Sequence, residues 1–276
     1  MTGPREFPCD TPITVVVRVG GGSITVIAEE RASALVEVDA YDGRESSIHA
    51  ADHTIIEMRG SELRVEAPES KGNFLVRRSG QVRVDLRVPL DSKLQVRTGS
   101  ADTHCEGRLG EVSVNSGSGD TKVEETSGDL AMNTGSGDLN VERVGGAVRV
   151  NGASGDVRIG RVAGEVLANL ASGDLAIEDA SSDRVRVTTA SGDVALRTVR
   201  GGHVQVNSAS GDVAVGVLAG TLVWLDLSTV SGSTMSELDM SDQNPRSGGE
   251  PPTLNLQVRT MSGDILVQRV YAPQVA

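Results

Sequence analysis

Aromatic residues, cysteines and long hydrophobic runs are all scarce in this chain of 276 residues. Phe, Trp and Tyr together make up only 2% of it, so any core must be built from Val, Leu, Ile and Ala. The longest apolar-leaning run, 213–225, is shorter than the roughly 18 residues that a membrane-spanning helix needs. The N-terminal residues also lack the basic and apolar segments of a signal peptide. We therefore expect no membrane span and a cytoplasmic location.

Basic residues are fewer than acidic residues in this chain. The chain has 26 Lys and Arg against 38 Asp and Glu, which gives a formal net charge of −12. Such a surface repels the phosphates of nucleic acids and of anionic membranes, so neither is an expected partner. The two cysteines, Cys9 and Cys105, allow at most one disulfide and do not form a disulfide framework.

What the sequence does contain is a repeated tripeptide. Ser-Gly-Asp occurs eight times between residues 118 and 264. In rows of about nine residues the middle of the chain aligns with itself, as in "TGSGDLNVE", "RVGGAVRVN", "GASGDVRIG" and "RVAGEVLAN". Each row has a glycine-containing turn followed by alternating apolar residues, and this period of two is the signal of a β-strand.

Every second row keeps its aspartate, so the true unit has about 18 residues with two short strands. The aspartates that define this spacing are Asp102, Asp120, Asp138, Asp156, Asp174, Asp193 and Asp212. The intervening rows carry Asp129, Ala147, Glu165, Asp183, His203 and Thr221 at the matching place.

A unit of this size cannot bury its own apolar face, but it can do so when stacked on its neighbours. We therefore predict an all-β fold, a parallel β-solenoid with about 18 residues and two strands per coil. Val157 should then lie over Leu175, and Leu175 over Val194. Glycine would supply the positive φ of each corner, and Ser and Asp would accept backbone N–H bonds there.

The predicted organisation follows the repeat. Residues 1–97 show alternation without the 18-residue period and are interpreted as a capping β-region that covers one end of the solenoid. The coils run over 98–240, a polar loop with three prolines occupies 241–252, a final coil follows at 253–270, and 271–276 form a tail.

The Ser-Gly-Asp rows, together with their lead-in "RVPLDSKLQVRTGSADTHCEG", resemble the bacterial DUF4097 family of β-strand-repeat, adhesin-like proteins. The resemblance covers roughly residues 80–270, with a family-like start at "TPITVVVRVGGGSITV". It implies a β-solenoid without established catalysis, and some relatives are associated with the membrane and with envelope stress. It supplies no catalytic residues.

The aspartate column has two interpretations. Stacked carboxylates could bind cations such as calcium, but calcium prefers 6–8 oxygen ligands and the glycine-rich motif of calcium-binding β-rolls is missing. The favoured interpretation is that each aspartate caps its own corner. "VGGGSITV", 19–26, is interpreted as a hairpin turn, because no Lys-Ser/Thr pair or helix follows it as a phosphate loop would require.

Other candidate site residues are few. His49, Asp52, His53, His104 and Cys105 could be metal ligands, but the 45–53 stretch is interpreted as a solvated loop. His203 should lie far from the aspartate column, and no motif of a nucleophile, a base and oxyanion donors is present. We therefore predict no catalytic residues, no cofactor and no metal site, and we expect that the protein is not an enzyme.

Trp224 is expected to fill a wide coil near the end of the repeats, and an exposed anchor for a partner is the alternative. The functional hypothesis is a scaffold that presents sheet faces and acidic edges to an unidentified protein partner or to another copy of itself. The alternative is a calcium-dependent binding module.

Overall fold

The computed structural model describes residues 2–9, 11–68, 80–238 and 253–271, whose regular secondary structure is almost entirely β-strand. One short helix, α1 (Glu45–Asp52), interrupts the strands. The strands of the N-terminal half are β1 (Thr2–Pro8), β2 (Thr14–Glu29), β3 (Ser33–Ala40), β4 (Ile55–Arg59), β5 (Glu62–Glu66), β6 (Val82–Pro89), β7 (Lys93–Leu109), β8 (Val112–Ser116), β9 (Thr121–Thr126), β10 (Leu130–Thr134) and β11 (Leu139–Val144). Those of the C-terminal half are β12 (Val148–Gly152), β13 (Val157–Val162), β14 (Val166–Ser172), β15 (Leu175–Ala180), β16 (Arg184–Ser191), β17 (Val194–Val199), β18 (Gly202–Ser210), β19 (Val213–Leu218), β20 (Leu222–Ser231), β21 (Thr234–Ser236), β22 (Thr253–Ser262) and β23 (Ile265–Val270).

The chain forms two compact units, 1–142 and 143–276. In the first unit, β2 pairs in parallel with β7 along nearly its whole length. The two halves of β2 also pair in parallel with β5 and β6, whereas the β1–β3, β3–β6 and β4–β5 pairs are antiparallel. Parallel pairing thus begins at residue 14, well before the sequence repeat becomes readable. The division into a capping region and coils stays a prediction.

Two local predictions for this unit are wrong. The glycines of "VGGGSITV" form no hairpin, because β2 runs through them and Gly22, at φ 117°, lies opposite Ala101 of β7. Most of the 45–53 stretch is the helix α1, which ends at Asp52, and not a loop. The helix is fixed by tertiary contacts that local sequence does not reveal: Ser47 Oγ accepts the Gln81 N–H at 3.1 Å, and Ala50 and Ala51 are buried.

The second unit is the predicted parallel β-solenoid. The first strands of its coils form one parallel ladder in the order β12, β14, β16, β18, β22, β20. The second strands form another in the order β13, β15, β17, β19, β23, β21. Val157 lies opposite Leu175, and Leu175 opposite Val194, as predicted. All three side chains are buried, so the core consists of aliphatic columns.

The order of the last coils differs from the order of the sequence. The coil made by β22 and β23 comes last in the chain, yet it lies between the coil of β18 and β19 and the coil of β20 and β21. Among the described strands, the terminal coil, residues 222–236, therefore ends this ladder. The predicted loop at 241–252 lies outside the described residues, as does the predicted tail beyond Tyr271.

Candidate functional site: the acidic corner and the terminal coil

The aspartates that define the 18-residue spacing form hydrogen-bonded columns within each unit. In each of six steps one carboxylate oxygen, Oδ1, accepts the backbone N–H of the aspartate in the neighbouring coil. In the first unit these steps are Asp120 to Asp102 and Asp138 to Asp120, both at 3.0 Å. In the second unit they are Asp174 to Asp156 (3.0 Å), Asp193 to Asp174 (2.9 Å), Asp212 to Asp193 (2.8 Å) and Asp264 to Asp212 (2.8 Å).

The glycine of the corner is required by both conformation and space. Gly211 has a φ of 125°, a region that residues with a side chain rarely occupy. A Cβ atom added there would stand 2.2 Å from the carbonyl oxygen of Gly192 in the adjacent coil. Close stacking of successive corners therefore depends on glycine, which explains why the motif recurs.

These contacts fit the corner-capping interpretation of the aspartates. One oxygen of each donor–acceptor step is engaged by a backbone amide, as corner capping requires. Within the described ranges, no group of three or more His, Cys, Asp or Glu side chains is arranged to hold a metal ion.

In the terminal coil a serine replaces the aspartate of the column. Ser233 stands where the other coils have aspartate, and both its N–H (2.7 Å) and its hydroxyl (2.9 Å) donate to Asp264 Oδ1. These two bonds favour the charged carboxylate and lower the pKa of Asp264 below its ordinary value of 3.8. Ser233 itself has no carboxylate with which to accept a bond from a further coil.

Large apolar side chains are exposed around the same end of the ladder. Trp224 is 57% exposed and lies opposite Asn255, because the alternation of β20 turns Val223 and Leu225 inward and Trp224 outward. The prediction that Trp224 fills a coil is therefore wrong. The other exposed large apolar residues of this region are Leu222, Val230, Met235, Met261 and Tyr271. The alternation of inward and outward positions along β20 is the sequence feature that could have placed Trp224 on the outside.

The histidines considered as metal ligands make other contacts in the structure. The rings of His49 and His53 stack with centroids 4.0 Å apart, and His104 Nε2 lies 3.0 Å from Glu106 Oε1. Cys105 is a free thiol. Complete burial raises the pKa of Cys105 to about 12, so its reactive thiolate is suppressed.

His203 is also away from the acidic corners, as predicted. It lies near the start of β18, opposite Arg184 and Asn255, whereas Asp212 follows the other end of that strand. Within the described ranges, no helix has the length and apolar character needed to cross a membrane.

The parallel ladders and the glycine-dependent corners extend over almost the same residues as a known family, since the Toastrack DUF4097 family matches residues 14–268. The chain belongs to this family. The match begins at the first residue of β2 and ends within β23, so it includes the N-terminal strands that lack the 18-residue period. No curated protein matches this Toastrack chain.

Solved structures similar to this Toastrack chain include a "putative adhesin" from Bacteroides fragilis, with 11% identity, a TM-score of 0.49, and coverage of 97% of this chain and 96% of that one. A "putative lipid binding protein" from Parabacteroides distasonis has 13% identity and a TM-score of 0.41, with 97% and 96% covered. A "putative adhesin" from Parabacteroides merdae has 13% identity and a TM-score of 0.37, with 97% and 95% covered. Similarity at this level carries no argument about ligands.

Proposed function

We propose that this Toastrack chain is a non-enzymatic interaction protein, a β-solenoid scaffold that binds a protein partner or another copy of itself. The observation that carries the proposal is the concentration of exposed large apolar side chains in and just beyond β20–β23. Exposed apolar patches of this kind are typical of interaction surfaces. Aromatic and methionine side chains are also the types enriched where proteins meet.

On the rest of the described outer surface of the second unit, no large apolar side chain is exposed and several charged side chains form ion pairs. Arg197 Nε donates to Glu178 Oε1 at 2.8 Å, and Arg200 forms two bonds with Asp179. Exposed pairs of this kind contribute little to stability and favour contact with water. The apolar end therefore differs in chemistry from the rest of the described outer face, which supports its role in binding.

The family resemblance and the names of similar structures favour an adhesin-like version of this proposal. In that version the partner lies on a cell surface. A cytoplasmic location, as predicted from the sequence, would instead give the chain an intracellular partner. Fractionation of the native cell, with immunodetection of the full chain, separates the two: recovery at the cell surface or outside the cell rejects the cytoplasmic prediction.

The proposal is tested by affinity capture with the full chain, Trp224→Ala and Ile55→Ala as baits in an extract of the native cell. Ile55 is a matched control because it is 56% exposed but lies in the other unit. We expect a partner that wild type and Ile55→Ala recover equally and that Trp224→Ala loses by at least about tenfold, the loss expected when an aromatic anchor contributes about 1.4 kcal/mol or more. Equal recovery by all three baits contradicts the assignment of the surface.

A further inference from the structure

We propose that the terminal coil is the docking edge for a second copy of this chain, with β20 of the two copies paired antiparallel across a two-fold axis. This inference rests on the proposed function and names one of its partners. The surface involved is the free edge of β20 and β21, together with the three inward-facing residues Val223, Leu225 and Leu227.

The edge is incomplete in two respects. Among the described residues, β20 has a paired strand, β22, on one side only, so the other side presents unpaired backbone groups. Val223, Leu225 and Leu227 are partly exposed, whereas Leu254, Leu256 and Val258 opposite them in β22 are fully buried. A fitting occupant must supply both a strand edge and a row of aliphatic side chains at every second residue.

The charge of the edge favours a second copy. The chain carries a net charge of −12, so two copies repel each other over most approaches. Residues 221–236, however, contain a single charged side chain, Asp226, which accepts a 2.8 Å bond from Gln257 and lies 3.4 Å from Arg259. The Lys and Pro residues that commonly protect an edge strand are absent from this stretch.

The serine at position 233 favours one arrangement of the two copies over another. In each step of the aspartate column within this unit, a carboxylate accepts the backbone N–H of the next coil, and Ser233 offers no such carboxylate. A second copy stacked in parallel would not find the carboxylate acceptor that every preceding coil of this unit provides. Head-to-tail growth into a filament is therefore disfavoured, and a closed two-fold contact between identical edges is favoured.

The side-chain pattern also defines the register. Antiparallel pairing centred on Leu225 places Leu225 opposite its own equivalent and Val223 opposite Leu227 of the second copy. All inward residues then stay on the core side, because positions of equal parity face each other. Residues 239–252 do not match this requirement in sequence, since they contain three prolines and no Val, Ile or Leu.

A cysteine cross-link tests the register directly. In a Cys9→Ser background, Leu225→Cys should form an intermolecular disulfide under mild oxidation, because directly opposed antiparallel residues have Cα atoms about 4.5–5.5 Å apart, within disulfide range. Val230→Cys is the matched control: residue 230 is 84% exposed but does not face its own equivalent in this register. We expect a covalent dimer for Leu225→Cys and at least about tenfold less for Val230→Cys. Equal cross-linking of both variants overturns the proposed register.

Sedimentation equilibrium of the full chain at about 1–100 μM tests the dimer itself, a range that covers typical reversible association. Trp224→Glu should weaken it at least about tenfold, since residue 224 faces Asp226 of the second copy in this register and the two carboxylates would repel each other. Ile55→Glu adds the same charge elsewhere and should change the association little. Circular dichroism checks that both variants keep the fold. A monomer at all concentrations, an open-ended series of oligomers, or a dimer unaffected by Trp224→Glu overturns the inference. Of these, a strict monomer leaves the proposed function intact if affinity capture still recovers a different partner that depends on Trp224.

Discussion

At the scale of single residues, the corner of each coil is the most constrained part of the molecule. Gly211→Ala should destabilise the protein by at least about 2 kcal/mol, because it combines a disfavoured φ with a backbone clash in the adjacent coil. Gly220→Ala is the control, since Gly220 also has a positive φ, 89°, but has open space around its Cβ position. Its cost should be about 1 kcal/mol. Urea unfolding of both variants measures the difference, and equal costs would contradict the clash.

The aspartate of the corner acts as a hydrogen-bond acceptor more than as a charge. Asp193 Oδ1 accepts the Asp212 N–H at 2.8 Å, and an asparagine can keep that bond. Asp193→Asn should therefore stay within about 0.5 kcal/mol of wild type, whereas Asp193→Ala should lose about 1 kcal/mol. Thermal or urea unfolding at neutral pH compares the two. A loss for Asp193→Asn as large as that for Asp193→Ala would mean that the charge itself is needed.

One carboxylate gives the first unit a defined acid sensitivity. Asp91 accepts two bonds from Arg108 (3.0 and 2.8 Å) and one from the Ser127 hydroxyl (2.7 Å), and these partners lower its pKa below the ordinary 3.8. A carboxyl with a lowered folded-state pKa stabilises the fold above its unfolded-state pKa, and this stabilisation is lost as the pH falls through the folded-state value.

Asp91→Asn should therefore be less stable than wild type at pH 7, and the gap should narrow as the pH falls below about 4. Asparagine suits this test because it tolerates the positive φ of 60° at this position. Urea midpoints at a series of pH values give the comparison. A gap that stays constant down to pH 2 would show that the Asp91 charge does not contribute.

At the scale of strands, the burial of a residue depends on whether its coil has neighbours on both sides. Leu256 and Leu225 are register partners, but Leu256 lies in an enclosed coil and is fully buried. Leu256→Ala should cost about 2–5 kcal/mol through loss of contacts and a residual cavity. Leu225→Ala should cost roughly 1 kcal/mol at concentrations where the protein is monomeric, because the uncovered coil can relax and admit water. Similar costs for the two would contradict the position of β20 at the end of the ladder.

The strands also show what the sequence could predict. Alternating apolar residues at 18- and 19-residue intervals correctly predicted the parallel columns, including Val157 over Leu175, because stacking in register is what the repeat encodes. The same pattern could not reveal that β22 enters between β18 and β20, since every coil offers nearly the same edge to any other. Nor could it reveal α1, whose position depends on contacts with Gln81, 34 residues away from Ser47.

At the scale of the whole molecule, net charge should set how the proposed dimer responds to salt. Each copy carries −12 and has a sequence pI near 4.8, while the docking edge is almost uncharged. Raising the ionic strength from about 0.01 M to 0.1 M shortens the screening length from about 30 Å to about 10 Å. Repulsion between the copies then falls, while the apolar contact and the strand pairing change little.

Association of the two copies should therefore strengthen with salt, and sedimentation equilibrium of wild type across this range measures it. An interface held by ion pairs would weaken over the same range, so a dimer that dissociates as salt is added would be inconsistent with docking through β20.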